Sequence, residues 1–178
     1  MDYTVIPFPD CPAGSEGELL LFALDRVHRQ FAWKSGGLDA AQLRQTHPPS
    51  TLTLGWLIKH LAGVEADWTG RVLGRPLSPQ WDRVGRGDDP QRSWESAISD
   101  DPDELYALWY DTVDRSRRAW VTLIGDSELD VTLPWGGDGY IVNRRRALMD
   151  ILEENLLHTG QASIIREAVD GLTGNDPP

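Results

Sequence analysis

Apolar residues recur at spacings of three and four in four separate stretches of this chain, the pattern of helices buried along one face. The last stretch is the longest. From Arg144 to Gly171 it reads RRRALMDILEENLLHTGQASIIREAVDG, with Ala147, Ile151, Ala162, Ile165 and Val169 on one stripe. Leu20, Leu24, Val27 and Phe31 predict an earlier helix from about Ser15 to Trp33, opened by a Ser15–Glu18 capping box. Leu54, Leu57, Leu61, Val64, Trp68 and Val72 predict a second from about Thr51 to Leu73, with Ser50 or Thr51 as its N-cap. Leu105, Leu108, Trp109, Thr112, Val113, Ser116 and Trp120 predict a third from about Asp103 to Ile124, with Asp101 and Asp103 suited to its N-terminus.

The segments between carry breakers. Residues 1–14 hold three prolines and read as an extended arm. Lys34-Ser-Gly-Gly37 ends the first helix, Leu38 to Arg44 suits a short helical turn, and His47-Pro-Pro49 is a loop. Residues 74–102 are too long for a tight connection and contain Trp81 and Trp94, so an ordered crossing that roofs a pocket is expected. Residues 125–143 alternate around Gly136-Gly137 and suit a short hairpin. Four long helices with long connections indicate an all-α four-helix bundle. Its connectivity need not be simple up-down-up-down.

The 178 residues are expected to form a single domain, 1–178. Eight tryptophans point to a core or cleft built on large aromatic surfaces. With 28 acidic against 17 basic residues the formal net charge is -11, so no nucleic-acid partner is expected. The N-terminus has no basic start followed by an apolar run, and no apolar run approaches the roughly 20 residues of a membrane helix. The expected location is the cytoplasm, with no membrane partner. The single cysteine, Cys11, allows no internal disulfide and has no evident activating neighbour.

Two positions on the long C-terminal stripe are not apolar. Glu154 and His158 are four apart and point the same way. A carboxylate facing a core needs a partner. His60, three after Leu57 and four before Val64, borders the core from the second helix. Two imidazoles and a carboxylate suit zinc and, less selectively, nickel, iron, cobalt or manganese. Three protein ligands would leave a coordination position open to water or substrate. From the residues alone, a metal site and a hydrogen-bonded polar network stand equally open. His28 edges the first helix's apolar face and reads as a buried histidine with a hydrogen-bond partner. Trp56 and Trp68 read as core, Arg144 to Arg146 as a solvated helical turn paired with nearby acids, and Arg166 as exposed or ion-paired.

LIKHLAGVEADW in the second helix, ENLLHTGQASIIREAVDG in the last and FAWKSGGLDAAQLR in the first third resemble the DinB superfamily of metal-binding four-helix bundles. The resemblance covers nearly the whole chain and is clearest over residues 15–73 and 145–171. Within the superfamily the chain is similar to a branch related to mycothiol-dependent maleylpyruvate isomerases and thiol S-transferases. The resemblance implies metal ligands at His60, Glu154 and His158. Many DinB proteins carry histidine where this chain has Glu154, which resembles the mycothiol-isomerase variant instead. The following Thr159-Gly160-Gln161 also matches, and Gln161 suits a hydrogen bond to a ligand rather than ligation. The extra C-terminal domain of the isomerases has no counterpart here, so that activity is not expected.

The implied activity is that of a divalent-metal-dependent thiol S-transferase. A metal, zinc first and nickel second, would activate a low-molecular-weight thiol such as mycothiol for attack on an electrophile. No protein nucleophile is then needed, so no catalytic residue is assigned beyond the ligands. A metal-dependent hydrolase and a non-catalytic metal-binding bundle are the alternatives. The superfamily also makes a homodimer an expected form.

Overall fold

A computed structural model describes residue 6 and residues 10–75, 97–135 and 138–177. The crossing that holds Trp81 and Trp94, most of the N-terminal arm, and Gly136-Gly137 lie outside these. Among the described residues the chain is all-α apart from one short hairpin. Its elements are α1 (Glu16–Ser35), α2 (Ala40–Leu43), α3 (Leu54–Val72), α4 (Pro102–Gly125), β1 (Thr132–Pro134), β2 (Ile141–Asn143) and α5 (Arg144–Asp170).

Local chemistry sets most helix ends. Ser15 and Glu18 form the predicted capping box of α1. Asp101 caps α4 by accepting from the N–H groups of Asp103 and Glu104, and Asn143 caps α5 by accepting from Arg146 N–H. The second long helix starts later than the expected Thr51. Thr53, not Ser50 or Thr51, is its N-cap, because the Thr53 hydroxyl accepts the Trp56 N–H at 3.2 Å. At the other end of the chain, α5 stops at Gly171, whose φ of 80° is the left-handed cap conformation that glycine adopts without strain.

Specific contacts fix the helix directions. Arg145 near the start of α5 pairs with Glu16 at the start of α1, and Arg166 near its end reaches the carbonyls of Lys34 and Gly36 at the end of α1. These helices are parallel. Tyr106 at the start of α4 donates to the Ser35 carbonyl, while Gly17 at the start of α1 faces Ile124 at the end of α4. Those two are antiparallel. Along α3, His60 meets Glu154 and His158, and Trp68 shares a cleft with Arg146 and Asp150, so α3 opposes α5. The order is up-down-down-up. The one parallel step, α3 to α4, is the one joined by the long crossing.

Two apolar clusters make the core. One holds Phe31, Leu54, Leu57, Ile58, Leu61, Tyr106, Trp109 and Ile165; the other holds Leu24, Val27, Val64, Trp120, Leu123, Leu148 and Ile151. Trp109 and Trp120 are fully buried, and cutting either to alanine should cost about 3–5 kcal/mol. Gly55 lets α2 pack against the start of α3, since a Cβ there would lie 3.2 Å from the Leu43 carbonyl oxygen. The hairpin pairs Leu133 with Val142, and Val142 is buried. It feeds straight into α5, where Arg144 and Arg145 N–H groups donate back to the Val131 and Leu129 carbonyls.

Candidate metal centre

The long α5 stripe does face the core. Ala147, Ile151, Ala162 and Ile165 are buried. That places Glu154 and His158 at its edge against α3, where His60 emerges. His60 Nε2 lies 3.1 Å from Glu154 Oε2, and His158 Nε2 lies 3.3 Å from the same oxygen. The two imidazole rings meet edge to face, 4.6 Å between centres. One ligand atom from each residue falls within 4.8 Å of the others. The structure therefore brings together all three residues that the sequence singled out.

The site is open on one side. The His60, Glu154 and His158 side chains are 25%, 32% and 10% exposed, enough for an ion or a small molecule to arrive from solvent. A cleft of about 330 Å³ begins at Glu154 and is lined by Trp68, Arg146, Asp150, Glu153 and Leu157. Arg146 is held by Asp150 one turn on. Trp135 and Trp68 meet edge to face with ring centres 5.9 Å apart, and the Arg71 guanidinium lies 5.4 Å from the Trp135 ring centre.

The donor set fits a divalent cation. His158 Nδ1 lies 2.6 Å from Gln161 Oε1. With that oxygen accepting, the Nδ1 carries the proton and the Nε2 lone pair is left facing the carboxylate, as a metal-ligating histidine requires. His60 is held from its other side. The Trp56 indole stacks on it at 4.7 Å and 13°, and meets the His158 ring edge-on at 5.9 Å. Trp56 thus walls the site as well as packing on the core, a role its apolar character in the sequence did not disclose.

The family model described as mycothiol-S-transferase matches residues 19–171. The chain belongs to this DinB-like family. Among solved structures, a conserved protein from Enterococcus faecalis has the same fold, with a TM-score of 0.67 at 18% identity over 90% of this chain and 100% of the other. Comparison with curated proteins finds no match.

The other sequence candidates lie elsewhere. His28 is buried against Glu65, as a partnered core histidine. Cys11 is half-buried in the N-terminal segment. Arg144, Arg145 and Arg146 pair with Glu128, with Glu16 and Asp130, and with Asp150. Arg166 is ion-paired but not exposed. It binds both Asp170 oxygens at 3.0 Å and donates to the Lys34 and Gly36 carbonyls, which closes the end of α1. No helix among the described residues is long and apolar enough to cross a membrane.

The sequence reading passed over Glu65, which is fully buried. The signal was present. Glu65 sits four after Leu61 and three before Trp68, on the apolar stripe of α3, as Glu154 does on that of α5. It lacks a histidine four residues away, so its partners became visible only once the helices were packed.

Proposed function

We propose that the protein is a divalent-metal-dependent thiol S-transferase, with His60, Glu154 and His158 as the metal ligands. The observation that carries this reading is the convergence of three ligand atoms within 4.8 Å on a solvent-open face, in a chain of the mycothiol S-transferase family. When bound, zinc or a similar ion lowers the pKa of a coordinated thiol and so supplies a nucleophile at neutral pH.

The chain's own residues would divide the remaining work. Gln161 fixes the His158 tautomer. Trp56 holds the His60 ring and keeps water from one side of the site. The cleft beside Glu154 offers an aromatic wall at Trp68 and hydrogen-bonding groups at Arg146, Asp150 and Glu153, which suits a small polar thiol carrying hydroxyl groups. In the overall reaction the thiol sulfur forms a bond to an electrophilic carbon. The leaving group departs with the bonding pair, and the thiol proton passes to solvent.

The test is conjugation with the zinc-supplemented full-length chain. Mycothiol, glutathione and cysteine are each offered with monochlorobimane, and the fluorescent adduct is measured. The expected result is adduct formation well above the uncatalysed rate with at least one thiol, abolished by EDTA and by His158→Ala. Adduct formation no faster than without protein, for every thiol, would contradict the transferase reading. Release of product from activated esters without any thiol would favour metal-assisted hydrolysis instead.

A further inference from the structure

The two apolar clusters are separated by a polar layer to which each of the four long helices contributes. α1 gives His28, α3 gives Glu65 and Thr69, α4 gives Ser116, and α5 gives Asn155. All five are buried, with Glu65 and Asn155 at 0% exposure. The Glu65 carboxylate is the hub. Its Oε1 lies 2.7 Å from His28 Nε2 and accepts from Asn155 Nδ2 at 3.0 Å. Its Oε2 accepts from the Ser116 hydroxyl, which lies 2.8 Å from the Thr69 hydroxyl. Asn155 also donates to the Ile151 carbonyl of its own helix.

A carboxylate in this position is costly to bury, and apolar residues of similar size would often stabilise the core as well. What it supplies instead is register. Each oxygen accepts only in narrow geometry, so sliding any helix by a fraction of a turn breaks a bond in the interior. The tie between α3 and α5 is the one that bears on the site. Glu65 lies five residues beyond His60, about 7.5 Å along α3. Asn155 directly follows Glu154. The Glu65–Asn155 bond thus joins the same two helices that carry the three ligands.

We propose that Glu65 and Asn155 are positioning residues for the metal centre: their bond holds α3 and α5 in the register that sets His60 against Glu154 and His158. The inference rests on the metal-centre reading given above. It concerns the geometry of the ligands and not the chemistry at the ion.

Cobalt(II) is the probe, because its visible spectrum reports coordination geometry and its binding can be titrated without turnover. The full chain is compared with three variants. Asn155→Ala removes the α3–α5 bond. Ser116→Ala removes a different donor from the same carboxylate and leaves that bond in place. Glu65→Gln keeps an acceptor for His28 and Asn155, while its amide donates to the Ser116 hydroxyl. Circular dichroism and thermal melts follow folding in each.

The expected result is at least about tenfold weaker cobalt binding and an altered visible spectrum for Asn155→Ala. Ser116→Ala should melt earlier yet bind cobalt as the parent does. Glu65→Gln should keep both affinity and spectrum. If Asn155→Ala melts earlier but binds with unchanged affinity and spectrum, the layer is structural only and the proposal is overturned. Equal losses in Asn155→Ala and Ser116→Ala would overturn it too, since a general loss of stability would then explain both. Should Asn155→Ala fail to fold, Asn155→Ser is read in the same way. A parent chain that binds no cobalt would sink the metal-centre reading, and this inference with it; binding by the parent and by Asn155→Ala alike sinks the inference alone.

Discussion

Gln161 lies one turn beyond His158 on α5, and its Oε1 sits 2.6 Å from His158 Nδ1. The bond selects which ring nitrogen carries the proton, and so which one can face an ion. Replacing Gln161 by leucine removes the acceptor while keeping the bulk. We expect zinc affinity to fall by about 10–100-fold. Because Gln161 is half-buried, the melting temperature should change little. Competition with a chromogenic chelator measures the first, and a thermal melt the second. Unchanged zinc affinity would show that the His158 tautomer does not depend on this bond.

Arg166 holds the end of α1 to the end of α5. Its guanidinium binds Asp170 and two carbonyls in a largely buried position. Arg166→Ala leaves those acceptors without their donor, and urea unfolding should show a loss of about 2–4 kcal/mol. Arg166→Lys should recover little, because an ammonium cannot span the same fork of acceptors. Of the proposed ligands, Glu154 and His158 lie two to three turns earlier on α5 and His60 lies on α3, so zinc binding by the folded fraction should persist.

Tyr106 contributes to the alkaline pH dependence of stability. Burial pushes its phenol from an ordinary value of 10.0 up to about 12, against a smaller opposing effect of its hydrogen bond with Leu38. Its hydroxyl donates to the Ser35 carbonyl at 2.7 Å and accepts from the Leu38 N–H at 3.3 Å. The folded chain thus holds this proton more tightly than the unfolded chain does. The resulting stability is fully present below pH 10.0 and is lost as pH rises towards about 12. Two units correspond to roughly 2–3 kcal/mol. Tyr106→Phe should unfold more easily at pH 7, by about 1–3 kcal/mol, because two buried backbone groups lose their partner. It should also show a flatter alkaline limb. Urea titrations of both proteins at pH 8 to 12 compare the two slopes, and identical slopes would contradict the assignment.

The helices and the convergence of His60, Glu154 and His158 were legible in the sequence because both depend on spacing. A stripe at three and four residues predicts a helix, and a polar residue on that stripe asks for a partner. That rule found Glu154, His158 and His60, and it placed His28 correctly as a partnered core residue. The start of α3 was read two to three residues early. Ser50, Thr51 and Thr53 are all good caps by type, and only the folded chain shows that it is the Thr53 hydroxyl that accepts the Trp56 N–H. Glu65 and Asn155 needed the tertiary structure, because their partners come from other helices and no local spacing marks the pairing. Trp56 was legible as apolar but not as the wall of a site. Large aromatic side chains serve core and cleft alike, and the sequence does not say which face of the ring is covered.

We propose that His60, Glu154 and His158 hold a divalent ion. Elemental analysis of the protein, purified without a metal-binding tag, tests it most directly. The parent is run beside His60→Ala, Glu154→Ala and His158→Ala, each shown to be folded by circular dichroism. The expected result is close to one zinc or nickel per chain in the parent and a loss of bound metal in all three variants. A folded parent that stays metal-free after incubation with zinc and with nickel would contradict it, and the three residues would then form a surface-edge polar cluster.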